Sequence, residues 1–229
     1  MELIIIAIVT IIVTIFLGYL FNYNMKEIKH IADDKELDEL AKKYPGNIEL
    51  CKAYLKKLEN KTVEIEENKE SEASLYIAIT DKISIANISH TYTRIQTIAH
   101  ECLHSIQDRK ILIFNFIFSN VYLLYFVIIC VLAIFKVLPN ELMFLNIYLL
   151  LSMVYYMVRV YLENDAMIKA KYLAKEYMEE QKISTNEEIN KIVKGFDKIN
   201  DIGIKCINYR FFLNIMIKLL IFILICVIR

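Results

Sequence analysis

Glycine and proline are scarce in this chain, four and two among 229 residues. So little turn-forming material leaves small room for elaborate loops, and a mostly helical protein follows. An excess of charge of either sign is missing as well, since 27 basic residues balance 27 acidic ones. Without a basic surplus there is no electrostatic footprint of a nucleic-acid binder, and no nucleic-acid partner is expected. The five cysteines (Cys51, Cys102, Cys130, Cys206 and Cys226) are scattered. Their spacing fits neither paired zinc-knuckle ligands nor a disulfide framework, and they read mostly as small buried hydrophobes.

What the chain does have is apolar length. It is 57% hydrophobic yet 24% charged, a mixture that implies charge-free runs alternating with charged segments. Leu3–Met25 and Ile111–Phe135 carry no charge; Leu142–Val158 is closed by Arg159, and Phe211–Ile228 is interrupted only by Lys218. A span needs about 20 apolar residues, so four transmembrane helices are expected. The first run lacks a basic start and a following small-residue cleavage site, and reads as an anchor rather than a signal peptide. Lys26, Lys29 and Lys35 follow the first run, Arg109 and Lys110 precede the second, Lys169, Lys171 and Lys175 follow the third, and Lys205 and Arg210 precede the fourth. The opposite side offers Lys136 and Arg229. That bias places both large loops in the cytoplasm of a multi-pass cell-membrane protein. The organisation expected is an anchor (1–25), a cytoplasmic segment (26–110), a transmembrane hairpin (111–162), cytoplasmic helices (163–210) and a final span (211–229).

The first cytoplasmic segment contains His100-Glu101-Cys102-Leu103-His104. On a helix, residues four apart share a face, so both imidazoles reach one metal ion while the glutamate projects beside it to take a proton from water. With four His and 19 Glu in the chain, the pattern should arise by chance in about one such sequence in two hundred. A third ligand is then needed. Spans two and three form a hairpin, which returns the chain to the face it left, so Glu163 and His104 are expected within roughly 10 Å of the same membrane surface. Glu163 also sits on an apolar stripe with Ala166, Met167, Ala170, Ala174 and Tyr177, where a buried carboxylate needs a partner. Asp165, Glu176 and His90 are the alternatives, and an ion pair with Arg159 is the plainer role for Glu163. Asp165 fits better as a group orienting a ligand histidine. His30 reads as an ordinary polar residue.

Around the motif, residues 33–59 read as two short helices broken at Pro45-Gly46, and Thr62–Glu66 alternates like a strand. Leu75–Ile79 and Ile83–Ala86 form a hairpin about Thr80-Asp81-Lys82. The motif helix is expected from Tyr92 to Arg109. Ile95, Ile98, Ala99, Cys102 and Ile106 make its apolar face, and Thr93, Thr97, His100, His104 and Gln107 the other. An edge strand beside it could hold an extended peptide. Ser184–Glu188 reads as a capping box starting a helix that Gly203 ends. Arg210, Asn214 and Lys218 make a polar stripe on the fourth span, facing the bundle and one another.

Ala99-His100-Glu101-Cys102-Leu103-His104-Ser105-Ile106-Gln107 resembles the His-Glu-x-Gly-His-Ala-Ile-Gln segment of YugP-type bacterial membrane zinc metallopeptidases. Glu163-Asn164-Asp165-Ala166 resembles that family's Glu-Phe-Asp-Ala segment. Leu103 stands where the family has glycine, and its Asp-His-Tyr-Asp-Pro stretch has no counterpart ahead of the motif. More distantly the chain is similar to the HtpX and CaaX-type membrane gluzincins. The resemblance implies Zn²⁺ held by His100, His104 and Glu163, with Glu101 as general base. The expectation is therefore a mainly α membrane protein with a small α+β zincin-like cytoplasmic unit. It would hydrolyse peptide bonds of membrane-proximal peptides or membrane proteins. Oligomeric state is not legible. A non-catalytic assembly or quality-control subunit with a structural or vestigial zinc site is the alternative, and a small transporter or channel component, drawn from the polar stripe, is a third.

Overall fold

A computed structural model describes the chain apart from Asn22, Lys69, Glu72, Ser89, His90 and Arg229. Its described residues form eight helices and one three-stranded sheet: α1 (Glu2–Leu20), α2 (Met25–Ala32), α3 (Lys35–Ala41), α4 (Asn47–Lys57), β1 (Glu64–Glu67), β2 (Leu75–Ile77), β3 (Lys82–Ile85), α5 (Arg94–His104), α6 (Arg109–Ile134), α7 (Glu141–Gln181) and α8 (Asn186–Ile228). Four helices, α1, α6, α7 and α8, are long and apolar enough to cross a membrane. The chain divides into two compact units.

One unit gathers residues 1–23, 114–161 and 205–229. Its helices pack through Tyr122, Ile129, Ala133, Leu145, Tyr148, Ile215, Leu219 and Phe222. Hydroxyls inside this apolar packing find partners, as buried polar groups must. Tyr122 and Tyr148 share a hydrogen bond, Ser152 donates to the Tyr122 hydroxyl at 3.2 Å, and Tyr148 donates to the Ile215 carbonyl at 3.2 Å. Of the polar stripe, Lys218 does face the bundle, its ammonium 4.9 Å from the centre of the Tyr122 ring. Arg210 and Asn214 are exposed.

The other unit gathers residues 24–113 and 162–204. The two short helices and the Pro45-Gly46 break appear as expected. Asp34 caps α3, accepting from Leu37 N–H at 3.1 Å. Helix α2 was not foreseen, although Asn24 accepting from Glu27 N–H at 3.2 Å is a recognisable start signal. Strand order is β1-β3-β2, with β1 parallel and β2 antiparallel to β3. The β2–β3 hairpin is the expected one, while the first strand runs two residues later at its start than Thr62. One core joins Leu50, Cys51, Tyr54, Ile83, Ile85, Ile95, Ile98, Ala99, Cys102, Ala166, Ala170, Ala174, Ile192 and Phe196.

Three expected boundaries are corrected. The motif helix spans Arg94–His104, not 92–109. It closes because Ser105 turns back on it, Oγ donating to the Cys102 carbonyl at 2.6 Å, while the amides of Ser105, Ile106 and Gln107 bond three residues back. Asp108 then starts α6, accepting from Lys110 N–H at 2.7 Å. Consequently Ile106 leaves the apolar face and is 47% exposed. Gly203 does not end its helix either, since α8 runs unbroken from Asn186 to Ile228. That glycine serves close packing, because a Cβ there would lie 3.3 Å from Met167 Cε. The capping box is real: Glu188 N–H donates to Thr185 Oγ1 at 3.3 Å, and Thr185 N–H donates to Glu188 Oε2 at 3.0 Å.

Candidate metal centre

Helix α5 is anchored before it carries any chemistry. Arg94, 4% exposed, donates to the carbonyls of Pro45, Ala41 and Tyr44 at 2.8, 2.9 and 3.0 Å. It thus satisfies the carbonyls left open where α3 ends. Tyr92 N–H donates to Asp38 Oδ1 at 2.7 Å, and Tyr54 Oη donates to the Ile95 carbonyl at 3.1 Å. Ile95, Ile98, Ala99 and Cys102 are fully buried, and Leu103 packs in the same core. Burying that face turns His100 and His104 outward together.

Helix α7 brings the third group. Ala166, Ala170 and Ala174 are fully buried, and small residues at that spacing let a helix sit close to its neighbours. Glu163, one turn before Ala166, then meets the histidines. Nε2 of His100 and Nε2 of His104 are 3.0 Å apart, and Glu163 Oε2 lies 3.5 Å from the first and 3.7 Å from the second. Tetrahedral bonds of about 2.1 Å separate neighbouring ligand atoms by about 3.4 Å. The three spacings bracket that value, and two imidazoles with one carboxylate are a donor set that suits zinc. These residues can hold a metal ion.

Charge in the cluster follows from its packing. Burial pushes Glu163 up, but its bonds to His100 and His104 outweigh that and hold its carboxyl far below the usual range. Burial lowers His104, yet Glu163, Glu101 and Gln107 together raise it above its ordinary value. Glu101 is 7% exposed. Burial, helped by the charge of Glu163, raises its pKa above the usual carboxylate range, while the two histidines and a hydrogen bond from the Tyr76 backbone pull the other way.

The other expected residues fall elsewhere. Asp165 does not touch His104 directly; it accepts from Gln107 Nε2 at 3.2 Å and pairs with Lys169 at 2.6 Å. Gln107 is the group that reaches the ring, with Oε1 2.8 Å from His104 Nδ1. Sequence reasoning placed Gln107 on the histidine face and missed this contact, because only the turn after His104 swings the amide onto the ring. Glu176 pairs with Lys57 at 2.9 Å. Arg159, proposed as a partner of Glu163, has its guanidinium 5.0 Å from the Phe211 ring centre. His30 is exposed, and His90 lies outside the described residues. Cys51 and Cys102 face each other as free thiols, 3.5 Å apart.

No protein-family model, curated protein or solved structure matches this chain.

Proposed function

We propose that the chain is a zinc-dependent metallopeptidase of the membrane, acting on membrane-proximal peptides or membrane proteins. The observation that carries this reading is the convergence of His100, His104 and Glu163 beside the buried carboxylate of Glu101. His100, His104 and Glu163 would hold the ion. Zinc, when bound, supplies Lewis acidity, making water a nucleophile near neutral pH and polarising a carbonyl.

The chain's own groups do the rest. Glu101 takes the proton of the attacking water and delivers it to the leaving amine. Burial makes Glu101 a stronger base than an exposed carboxylate, which favours taking that proton. Substrate binding is assigned to β2. Among the described residues this strand pairs with β3 alone and so is a sheet edge, and its Tyr76 backbone reaches Glu101. An extended peptide added along that edge would bring its carbonyl to the base. The four apolar helices support a multi-pass placement, and the Lys and Arg distribution supports cytoplasmic loops.

The test compares purified wild type with Glu101→Gln, using zinc content and hydrolysis of an unstructured membrane-protein segment as readouts. Both proteins should carry one zinc, and the variant should lose turnover by about 10²–10⁴-fold. Zinc retained with no turnover in any variant would favour a non-catalytic subunit instead.

A further inference from the structure

The cluster contains one neutral side chain whose hydrogen bonds leave it no freedom. Gln107 Nε2 lies 2.8 Å from the carbonyl oxygen of Leu162 and 3.2 Å from Asp165 Oδ2. A backbone carbonyl can only accept. The amide nitrogen must therefore point toward helix α7, and reversing the amide would set oxygen against oxygen. Oε1 is then committed to the opposite side, where it meets His104 Nδ1 at 2.8 Å. An amide oxygen also only accepts, so His104 must carry its proton on Nδ1. In the neutral ring its Nε2 is left with a lone pair, and that nitrogen is the one facing His100 and Glu163.

We infer that Gln107 is a positioning residue that selects the metal-binding tautomer of His104 and ties it to the segment bearing Glu163. The inference rests on the metal-site reading above. A single amide performs both tasks because Leu162 is the residue immediately before Glu163. The same bonds that orient the ring at the end of α5 thus hold the carboxylate-bearing turn of α7 beside it. Lys169, 2.6 Å from Asp165, keeps the far end of the chain of contacts in place. A carboxylate commonly orients a metal-bound histidine; here an amide stands between the carboxylate and the ring, and the direction of each bond follows from the carbonyl of Leu162.

The substitution that separates this role from simple packing is Gln107→Glu. One of its oxygens can still accept from His104, but the other then faces the Leu162 carbonyl and Asp165 with no proton to offer. Adding Asp165→Asn supplies a donor and rebuilds the contact with reversed polarity. Zn²⁺ affinity is measured on the full chain in detergent by competition with a chromogenic chelator, and thermal melting of the metal-free proteins checks folding. Gln107→Ala and Gln107→Glu should each weaken zinc binding by about 10–100-fold. The double variant Gln107→Glu/Asp165→Asn should recover part of the loss, at least about threefold over Gln107→Glu, because the Asp165 contact is rebuilt while the Leu162 carbonyl still faces an oxygen. Asp165→Asn alone, which still offers an acceptor, changes little. The inference is overturned if Gln107→Ala binds zinc like wild type, or if the double variant is no better than Gln107→Glu. Failure of wild type itself to bind zinc would instead sink the metal-site reading, so the two ideas fail separately.

Discussion

Glu163 Oε2 lies 3.5 Å from His100 Nε2, although all of α6 and the apolar first half of α7 separate the two residues along the chain. Neither residue is solvent-rich, with side chains 20% and 17% exposed. A carboxylate is not held among imidazoles in partial burial without a charged counterpart. Glu163 raises His104 above its ordinary value and so favours a proton there, and a divalent ion would take that proton's place.

Removing one corner of the triangle should therefore abolish stoichiometric metal. His100→Ala, His104→Ala and Glu163→Ala are each expected to purify with well under half of the wild-type zinc, as measured by elemental analysis. Full occupancy in Glu163→Ala would show that the third corner is misassigned while leaving the histidine pair intact.

Proton competition sets the pH dependence. His104 is raised above its ordinary 6.5, so its contribution to metal-free stability is complete below that value and fades as pH climbs through the raised one. Glu163 is lowered from 4.5, so its contribution holds above 4.5 and is lost on strong acidification. The metal-free protein should be helped most between these limits. Zinc must displace the proton from His104, so apparent affinity should rise with pH from 6 to 8, by up to about tenfold per unit while the ring is protonated. Calorimetry in two buffers of different ionisation enthalpy would register the released proton; affinity independent of pH would contradict the assignment.

Arg94 carries structural weight out of proportion to its place in the sequence. Arg94→Met would keep much of the side-chain volume but strand the carbonyls of Ala41, Tyr44 and Pro45. The expected loss is about 3 kcal/mol, since bonds from a charged donor are worth roughly 1.5–3 kcal/mol each and their effects are not additive. Denaturation of the purified protein, followed by loss of helical signal, gives the number, and a loss below about 1 kcal/mol would show the contacts to be dispensable.

Gly195 offers a test with the sign reversed from helix propensity. Alanine in a helix interior ordinarily gains about 1 kcal/mol over glycine. Here its Cβ would sit 2.9 Å from both Leu37 Cδ1 and Tyr92 Cε2. Overpacking of this kind costs about 1–3 kcal/mol, so Gly195→Ala should lower the melting temperature. A rise would mean that Leu37 and Tyr92 yield easily.

Four runs of apolar residues, the helix pair around Pro45-Gly46, the β2–β3 hairpin and the capping box at Thr185 were legible because each is written locally. Hydrophobic period, turn chemistry and cap pairs act over a few residues. The histidine pair and its glutamate were legible for the same reason, as they occupy one helical turn. Other features depended on distant partners. The early close of α5 at His104 reflects the Ser105 turn and the start of α6 at Asp108. Gly203 failed as a stop because its backbone stays helical and α8 continues through it to Ile228. Arg94 gave no signal at all, since an arginine at a helix start normally faces water, and only the ends of α3 and the following loop make it a buried cap. The sequence alone thus determined most of the elements, α2 excepted, and which side chains have metal-binding chemistry. Tertiary structure decided which carboxylate closes the triangle and that Gln107, rather than Asp165, addresses the ring. The physical reason is range: a period or a cap is satisfied within a turn or two, whereas a ligand set is satisfied only once packing has brought separate helices within a few ångströms.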